Sequence, residues 1–273
     1  MTSSSRYILV YDVEGREAVL LNSVDVIKVF DIGNDVYFAD VADSGEVAVL
    51  THAVSTPSVV IAYDDSFNEC FRWTSADKYT SQIEILDGED KIVIASFNSE
   101  TGEMRTYLSV YDLKSGETVS SQIYESVTVL DLVENKEGFV AVCTDKLLFF
   151  DKNGTEIANV SLNRYGVGIR NVSVSDSYVA LNMIMSDYAD GGNILVFNNV
   201  GELCFENFCK YSVTAFKCTD KTVYTVMHGE LNTVDISSGK IETDKLDKEY
   251  TKISVFDNGG IILSSKYDTV IYR

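Results

Sequence analysis

The chain has very little of what usually punctuates a fold or performs chemistry. Among 273 residues there is one proline (Pro57), one tryptophan (Trp73) and two histidines (His52 and His228). A lone proline excludes a proline-rich linker. No apolar run reaches the 18 residues of a membrane-spanning helix, and Met1 to Arg6 lacks the apolar core of a signal peptide. Read at face value this is a chain of the cell interior, unless an export or anchor segment lies upstream. The five cysteines (Cys70, Cys143, Cys204, Cys209, Cys218) form no CxxC pair and have no histidine at ligand spacing, which argues against zinc. Their odd number argues against a full disulfide framework, and Cys143 and Cys218, set in alternating apolar runs, read as small buried hydrophobes. GxSxG, HExxH and phosphate-cradling glycine loops are missing, so no cofactor, metal or catalytic residue is assigned. Positive charge is scarce too. Twenty-two Lys and Arg face 42 Asp and Glu, a net charge of −20, which repels phosphate backbones and anionic lipid and excludes a nucleic-acid partner.

What the chain does have is internal repetition. A hydrophobic content of 45% is ample for a packed core. One element recurs: an apolar run ending in aromatic-Asp, a turn containing Gly or Asn, then a second run. It reads Val59-Val-Ile-Ala-Tyr-Asp64 with Asn68, Tyr107-Leu-Ser-Val-Tyr-Asp112 with Gly116, and Leu147-Leu-Phe-Phe-Asp151 with Gly154. It continues as Ile194-Leu-Val-Phe-Asn198 with Gly201 and, more weakly, Leu231-Asn-Thr-Val-Asp235 with Gly239. Each is a β-hairpin in which Asp or Asn caps the turn and Gly or Asn takes its left-handed position. Two further strand-like runs separate successive hairpins, as in Val127 to Asp131 and Phe139 to Cys143. The turn residues step by 48, 39, 47 and 37, and four strands in roughly 40–45 residues is the period of a propeller blade.

The fold expected is therefore all-β, a seven-bladed β-propeller of four-stranded antiparallel blades (strands a to d) forming a single domain over 1–273. A six-bladed ring is the alternative. Leu9-Val-Tyr-Asp12 mimics the repeated hairpin but lies 52 residues before Asp64; with Val19 to Asn22 as the third strand the step becomes 42. In that phase the chain opens at strand b (Tyr7 to Tyr11) and ends at strand c (Thr269 to Tyr272). That makes 26 strands, with strand a of the first blade and d of the last expected upstream of Met1. The lone Trp73 excludes the repeated tryptophans of quinoprotein propellers.

The runs Arg6-Tyr-Ile-Leu-Val-Tyr-Asp-Val-Glu-Gly-Arg16 and Asp35-Val-Tyr-Phe-Ala-Asp-Val-Ala-Asp-Ser-Gly-Glu-Val-Ala-Val49 resemble a domain-of-unknown-function family of bacterial propellers, mostly from Gram-positive anaerobes. That resemblance implies a propeller held outside the cell by an N-terminal membrane anchor. It carries no catalytic residues with it.

Candidate sites follow from strand order. In each blade the b–c and d–a connections share one end, and the longer b–c connections (Ala53 to Ser58, Asn98 to Arg105, Ser186 to Asn193) make that end the place for a binding face. Tyr79, Tyr124, Tyr165, Tyr211 and Tyr250, stepping by 45, 41, 46 and 39, are expected just before strand a as a partial aromatic ring at the mouth of the central channel. Lys78, Arg164 and Lys210 precede three of them. Such a rim could stack a sugar or hold a peptide, but repetition in every blade suits inter-blade packing better than a unique site. His52 and His228 end b strands too far apart to share a metal, and Asp187 and Asp190 lack the rest of a calcium loop. The function expected is a monomeric, non-enzymatic binding or scaffold module presenting this face to a protein, peptide or glycan. The alternative is a hydrolase, lyase or lactonase over the channel, which three or more converging carboxylates would favour.

Overall fold

The structure is a computed structural model and describes residues 1–272 apart from 54, 100–101, 186–190 and 257–258. Among the described residues there is no helix, and none long and apolar enough to cross a membrane. The first blade contains β1 (Thr2–Ser3), β2 (Tyr7–Tyr11), β3 (Glu17–Asn22) and β4 (Val26–Asp31), and the second β5 (Val36–Val41), β6 (Val47–Ala53), β7 (Thr56–Tyr63) and β8 (Glu69–Ser75). The third contains β9 (Tyr79–Leu86), β10 (Lys91–Asn98), β11 (Arg105–Asp112) and β12 (Thr118–Glu125). The fourth contains β13 (Val129–Asn135), β14 (Gly138–Cys143), β15 (Lys146–Asp151) and β16 (Glu156–Ser161). The fifth follows with β17 (Gly168–Val174), β18 (Tyr178–Ile184), β19 (Gly192–Asn198) and β20 (Leu203–Cys209). The sixth holds β21 (Ala215–Cys218), β22 (Thr222–Met227), β23 (Glu230–Asp235) and β24 (Ile241–Lys245). The seventh has β25 (Lys252–Val255), β26 (Ile261–Ser264) and β27 (Thr269–Tyr272). Each blade is an antiparallel meander in chain order, and the whole is a seven-bladed β-propeller.

Two compact units are distinguished: Met1–Glu134 with Gly138–Cys143 and Phe150–Glu156, and Asn135–Glu137 with Thr144–Phe149 and Ile157–Arg273. Within the first, the reason for the unbroken apolar runs is visible. Strand b is covered on both faces, so alternation gives way to continuous hydrophobicity. Val47 and Val49 of β6 pack with Leu9, Leu20 and Val36, while Ala48 and Leu50 point the other way onto Ile83, Ile92 and Ile94. Each such fully buried Val, Leu or Ile contributes about 1.5–3 kcal/mol. Strand d has one wet face and alternates, as the pattern of β12 shows.

The repeated turns form as their sequence suggests. Asp112 Oδ1 accepts the Lys114 and Ser115 N–H groups at 3.0 and 2.7 Å, and Asn198 Oδ1 accepts those of Val200 and Glu202 at 3.1 and 2.9 Å. Gly154 takes a positive φ of 77°, and a Cβ there would collide with Ser120 and Val110. In the second blade Phe67, not Asn68, is left-handed (φ 63°): it stands three residues after Asp64, the place Gly154 and Gly201 hold after Asp151 and Asn198, and Asp64 Oδ1 accepts the Ser66 and Asn68 N–H groups in the same way. The phase of the first blade is as expected, with β2 as strand b and β3 as strand c. The strand count is corrected from 26 to 27 among the described residues. Thr2 and Ser3 pair with Leu9 and Ile8, so strand a of the first blade lies within the chain. Two polar residues leave no periodic trace, which is why the sequence concealed them. Cys143 and Cys218 are buried, as their runs imply.

Candidate functional site

The five tyrosines of the expected ring separate into three environments. Tyr165 and Tyr250 are 4% and 2% exposed. Tyr165 meets Phe197 edge-on at 6.3 Å, and the Tyr250 hydroxyl donates to Asp247 at 2.9 Å inside the cluster of Val226, Leu231 and Leu263. These two behave as packing residues. Tyr124 does not precede strand a; it lies within β12, strand d, with its hydroxyl held by Gln122 and the Glu156 carboxylate. Burial and that carboxylate push its phenol well above the usual range. Only Tyr79 and Tyr211 are exposed, at 57% and 41%. Tyr211 stacks on His228 at 4.4 Å, and Lys210 Nζ lies 5.6 Å from its ring centre. Arg164 likewise covers Tyr165 at 4.5 Å. Lys78 is the exception: it turns from its neighbour Tyr79 to the Tyr107 ring, at 3.9 Å. Asp187 and Asp190 lie outside the described residues.

Tyr79 forms one wall of a cavity of about 400 Å³ in the first unit. It lies at the ends of blades 2 and 3 that carry the b–c and d–a connections. Tyr37 and His52 line it too, their rings in contact at 5.0 Å with planes tilted by 46°, and Leu50, Thr51, Pro57, Ser58 and Thr80 complete the described lining. The local causes are simple. Tyr37 and Tyr79 each stand at the start of a strand a, His52 near the end of β6, and Pro57 near the start of β7. Phe97 backs Tyr79 at 5.9 Å, and Ser58 Oγ accepts the Thr80 N–H at 2.7 Å, tying the two blades together beneath the opening. The arrangement offers aromatic faces and a largely apolar surface, with no carboxylate among the described lining residues. Sequence reasoning found His52 and Tyr79 but missed Tyr37. The signal existed, for Tyr37 precedes Tyr79 by 42 residues, one blade period.

A second constellation lies further along the same strands a. Asp40 Oδ2 accepts the Ile85 N–H at 2.8 Å, and Glu84 Oε1 accepts that of Glu134 at 3.0 Å. Glu134 Oε1 accepts the Asp87 N–H at 2.9 Å, and Asp87 Oδ1 that of Asp43 at 2.6 Å. Each carboxylate thus clasps the backbone of the adjacent blade. The side chains keep some exposure yet are crowded by protein, and that desolvation raises Asp40 to about 6 and Glu134 to about 7. Burial and then the charge of Asp40 raise Glu84 strongly, and burial raises Asp87 and Asp131. Asp43 and Asp87 stand at the a–b turns, the opposite blade ends from Tyr37 and Tyr79. No group of three or more His, Cys, Asp or Glu among the described residues is arranged to hold a metal.

Residues 1–264 match the model of a family of unknown function, DUF5711. The chain belongs to that family. No curated protein matches it. Solved structures match through the fold. The Pan2 WD40 domain of Neurospora crassa superposes with a TM-score of 0.61 at 13% identity, covering 99% of this chain and 86% of that one. Sqt1 of Saccharomyces cerevisiae gives 0.63 at 11%, covering 100% and 82%. BBS1N, in a structure with ARL6DN, gives 0.58 at 10%, covering 97% and 85%. At such identities the likeness is one of architecture, that of a β-propeller.

Proposed function

We propose that this DUF5711 chain is a non-enzymatic binding and scaffold module that engages a protein or peptide partner through the b–c and d–a ends of blades 2 and 3. The observation that carries the reading is the 400 Å³ opening whose walls, Tyr37, His52 and Tyr79, are aromatic and in part exposed. Tyrosine offers large contact area with little side-chain entropy to lose, which makes it a frequent anchor of interfaces. A similar fold occurs in BBS1N in its complex with ARL6DN. Placement outside the cell, tethered by an anchor, is part of this proposal and is supported by family resemblance only; protease treatment of intact cells tests it.

The test compares retention of proteins from an extract on the immobilised chain and on its Tyr37→Ala/Tyr79→Ala variant. A protein held by the first and lost from the second supports the reading. Identical retention by both overturns it.

One observation favours an enzyme instead: burial raises Asp40 to about 6 and Glu134 to about 7, toward the range in which general acids work. Against it, both spend an oxygen on the backbone of a neighbouring blade, a structural use. Unchanged partner retention by Glu134→Gln is expected if the cluster serves the fold.

A further inference from the structure

The cations that precede the repeated tyrosines point to what enters the opening. Where a Lys or Arg stands one or two residues before a tyrosine of the series, it covers that ring: Arg164 over Tyr165, Lys210 over Tyr211 and Lys248 over Tyr250 at 5.6 Å. Blade 3 breaks the rule. Lys78 Nζ is drawn to Tyr107, and among the described residues no cation of the chain lies over Tyr79 or Tyr37. Tyr79 is backed by Phe97 and remains 57% exposed; Tyr37 is backed by His52 and remains 41% exposed. A ring that elsewhere receives an internal cation here stays open, in one cavity with Tyr37 and His52.

We propose that the Tyr37–His52–Tyr79 opening receives the guanidinium of an arginine carried by a basic segment of the partner. The inference rests on the partner-binding reading of this face and supplies the chemistry of the anchor. A planar guanidinium stacks on a ring face and is weakly hydrated, so it loses less on leaving water than an ammonium does. The chain's net charge of −20 attracts a basic segment at long range, and the rings hold it at contact. A sugar fits less well. Thr51 and Ser58 are each only 1% exposed and Ser58 Oγ already accepts the Thr80 N–H, so among the small hydroxyls of the described lining only Thr80 Oγ1 is left for a sugar's several hydroxyls. No carboxylate stands among the described lining residues to pair with an ammonium, and the more weakly hydrated guanidinium is preferred over lysine.

The two histidines make the test direct. Proton NMR of the imidazole C–H signals shows one pair from the opening (His52) and one from the Tyr211 stack (His228), and His228→Gln assigns them. The probes are the peptide acetyl-Gly-Gly-Arg-Gly-Gly-amide, its citrulline analogue, which keeps the shape but not the charge, and chitotriose. The arginine peptide is expected to shift His52 saturably and to leave His228 in place, with the citrulline peptide about tenfold weaker. Tyr79→Ala should abolish the shift and Tyr79→Phe should retain it, because the ring face is what binds. Equal shifts by the arginine and citrulline peptides would overturn the cation while leaving a peptide-binding face standing. A shift by chitotriose but by neither peptide would overturn both readings. Equal movement of His228 would show attraction to an acidic surface instead of a site.

Discussion

Glu84 accepts the backbone N–H of Glu134 at 3.0 Å, so a side chain on the first strand of blade 3 is fastened to the first strand of the next sheet. Glu134 returns the contact through the Asp87 N–H at 2.9 Å, and both carboxyl groups are driven toward the protonated form by burial. Like charges gathered along adjacent strands are tolerated because each takes a backbone hydrogen bond and can hold a proton.

The consequence is a stability that falls as pH rises. Asp40 goes from 3.8 to about 6 on folding and Glu134 from 4.5 to about 7. Between those values the folded chain binds more protons than the unfolded chain. The stabilisation is complete below the unfolded values and is lost as pH climbs through about 6 to 7. Asp40 contributes at most about 3 kcal/mol, reduced by water that reaches its partly exposed side chain. Thermal unfolding followed between pH 5 and pH 8 should show the higher Tm at pH 5. Glu134→Gln keeps the acceptor oxygen and discards the charge, so it should raise Tm at pH 8 and flatten the slope. A slope unchanged in the variant would locate the effect in the general negative charge.

The tyrosine series should divide by stability. Tyr165→Ala removes a buried ring and is expected to cost about 3–5 kcal/mol. Tyr79→Ala, at an exposed ring, should stay within about 1 kcal/mol. Urea unfolding of both variants measures the difference, and equal losses would return Tyr79 to the packing class.

Gly154 and Gly116 separate two kinds of glycine requirement. Both have positive φ, 77° and 72°, but a Cβ at Gly116 meets nothing within 4 Å, whereas one at Gly154 runs into Ser120 and Val110. Gly116→Ala should cost about 1 kcal/mol through its backbone conformation. Gly154→Ala should cost about 1–3 kcal/mol more through the collision. The same denaturation experiment decides this.

The architecture was legible in the chain because each blade repeats a local device. Asp112 followed by Gly116 announces a turn within five residues, and the doubly buried strand b announces itself by a run such as Phe139 to Cys143. What stayed hidden has no local signature. Thr2 and Ser3 become a strand only by pairing with Ile8 and Leu9. Tyr124 shares the spacing of the series, yet spacing cannot distinguish the end of strand d from the start of strand a. The clasp between Asp40 and Ile85 joins residues 45 positions apart, and only the blade-length separation of Asp87 from Glu134 hints at it. The aromatic opening was half legible: His52 and Tyr79 stood out by type and period, and Tyr37 needed the period extended one blade back.

The central claim, a partner held at the Tyr79 end of blades 2 and 3, is tested most directly by photocrosslinking in the producing cell. A benzophenone amino acid is placed at Tyr79 in one variant and at Lys114, in the β11–β12 turn at the other end of blade 3, in a second. The account predicts a discrete crosslinked partner from position 79 and none from position 114. The same product from both positions, or a product from position 114 only, would contradict it.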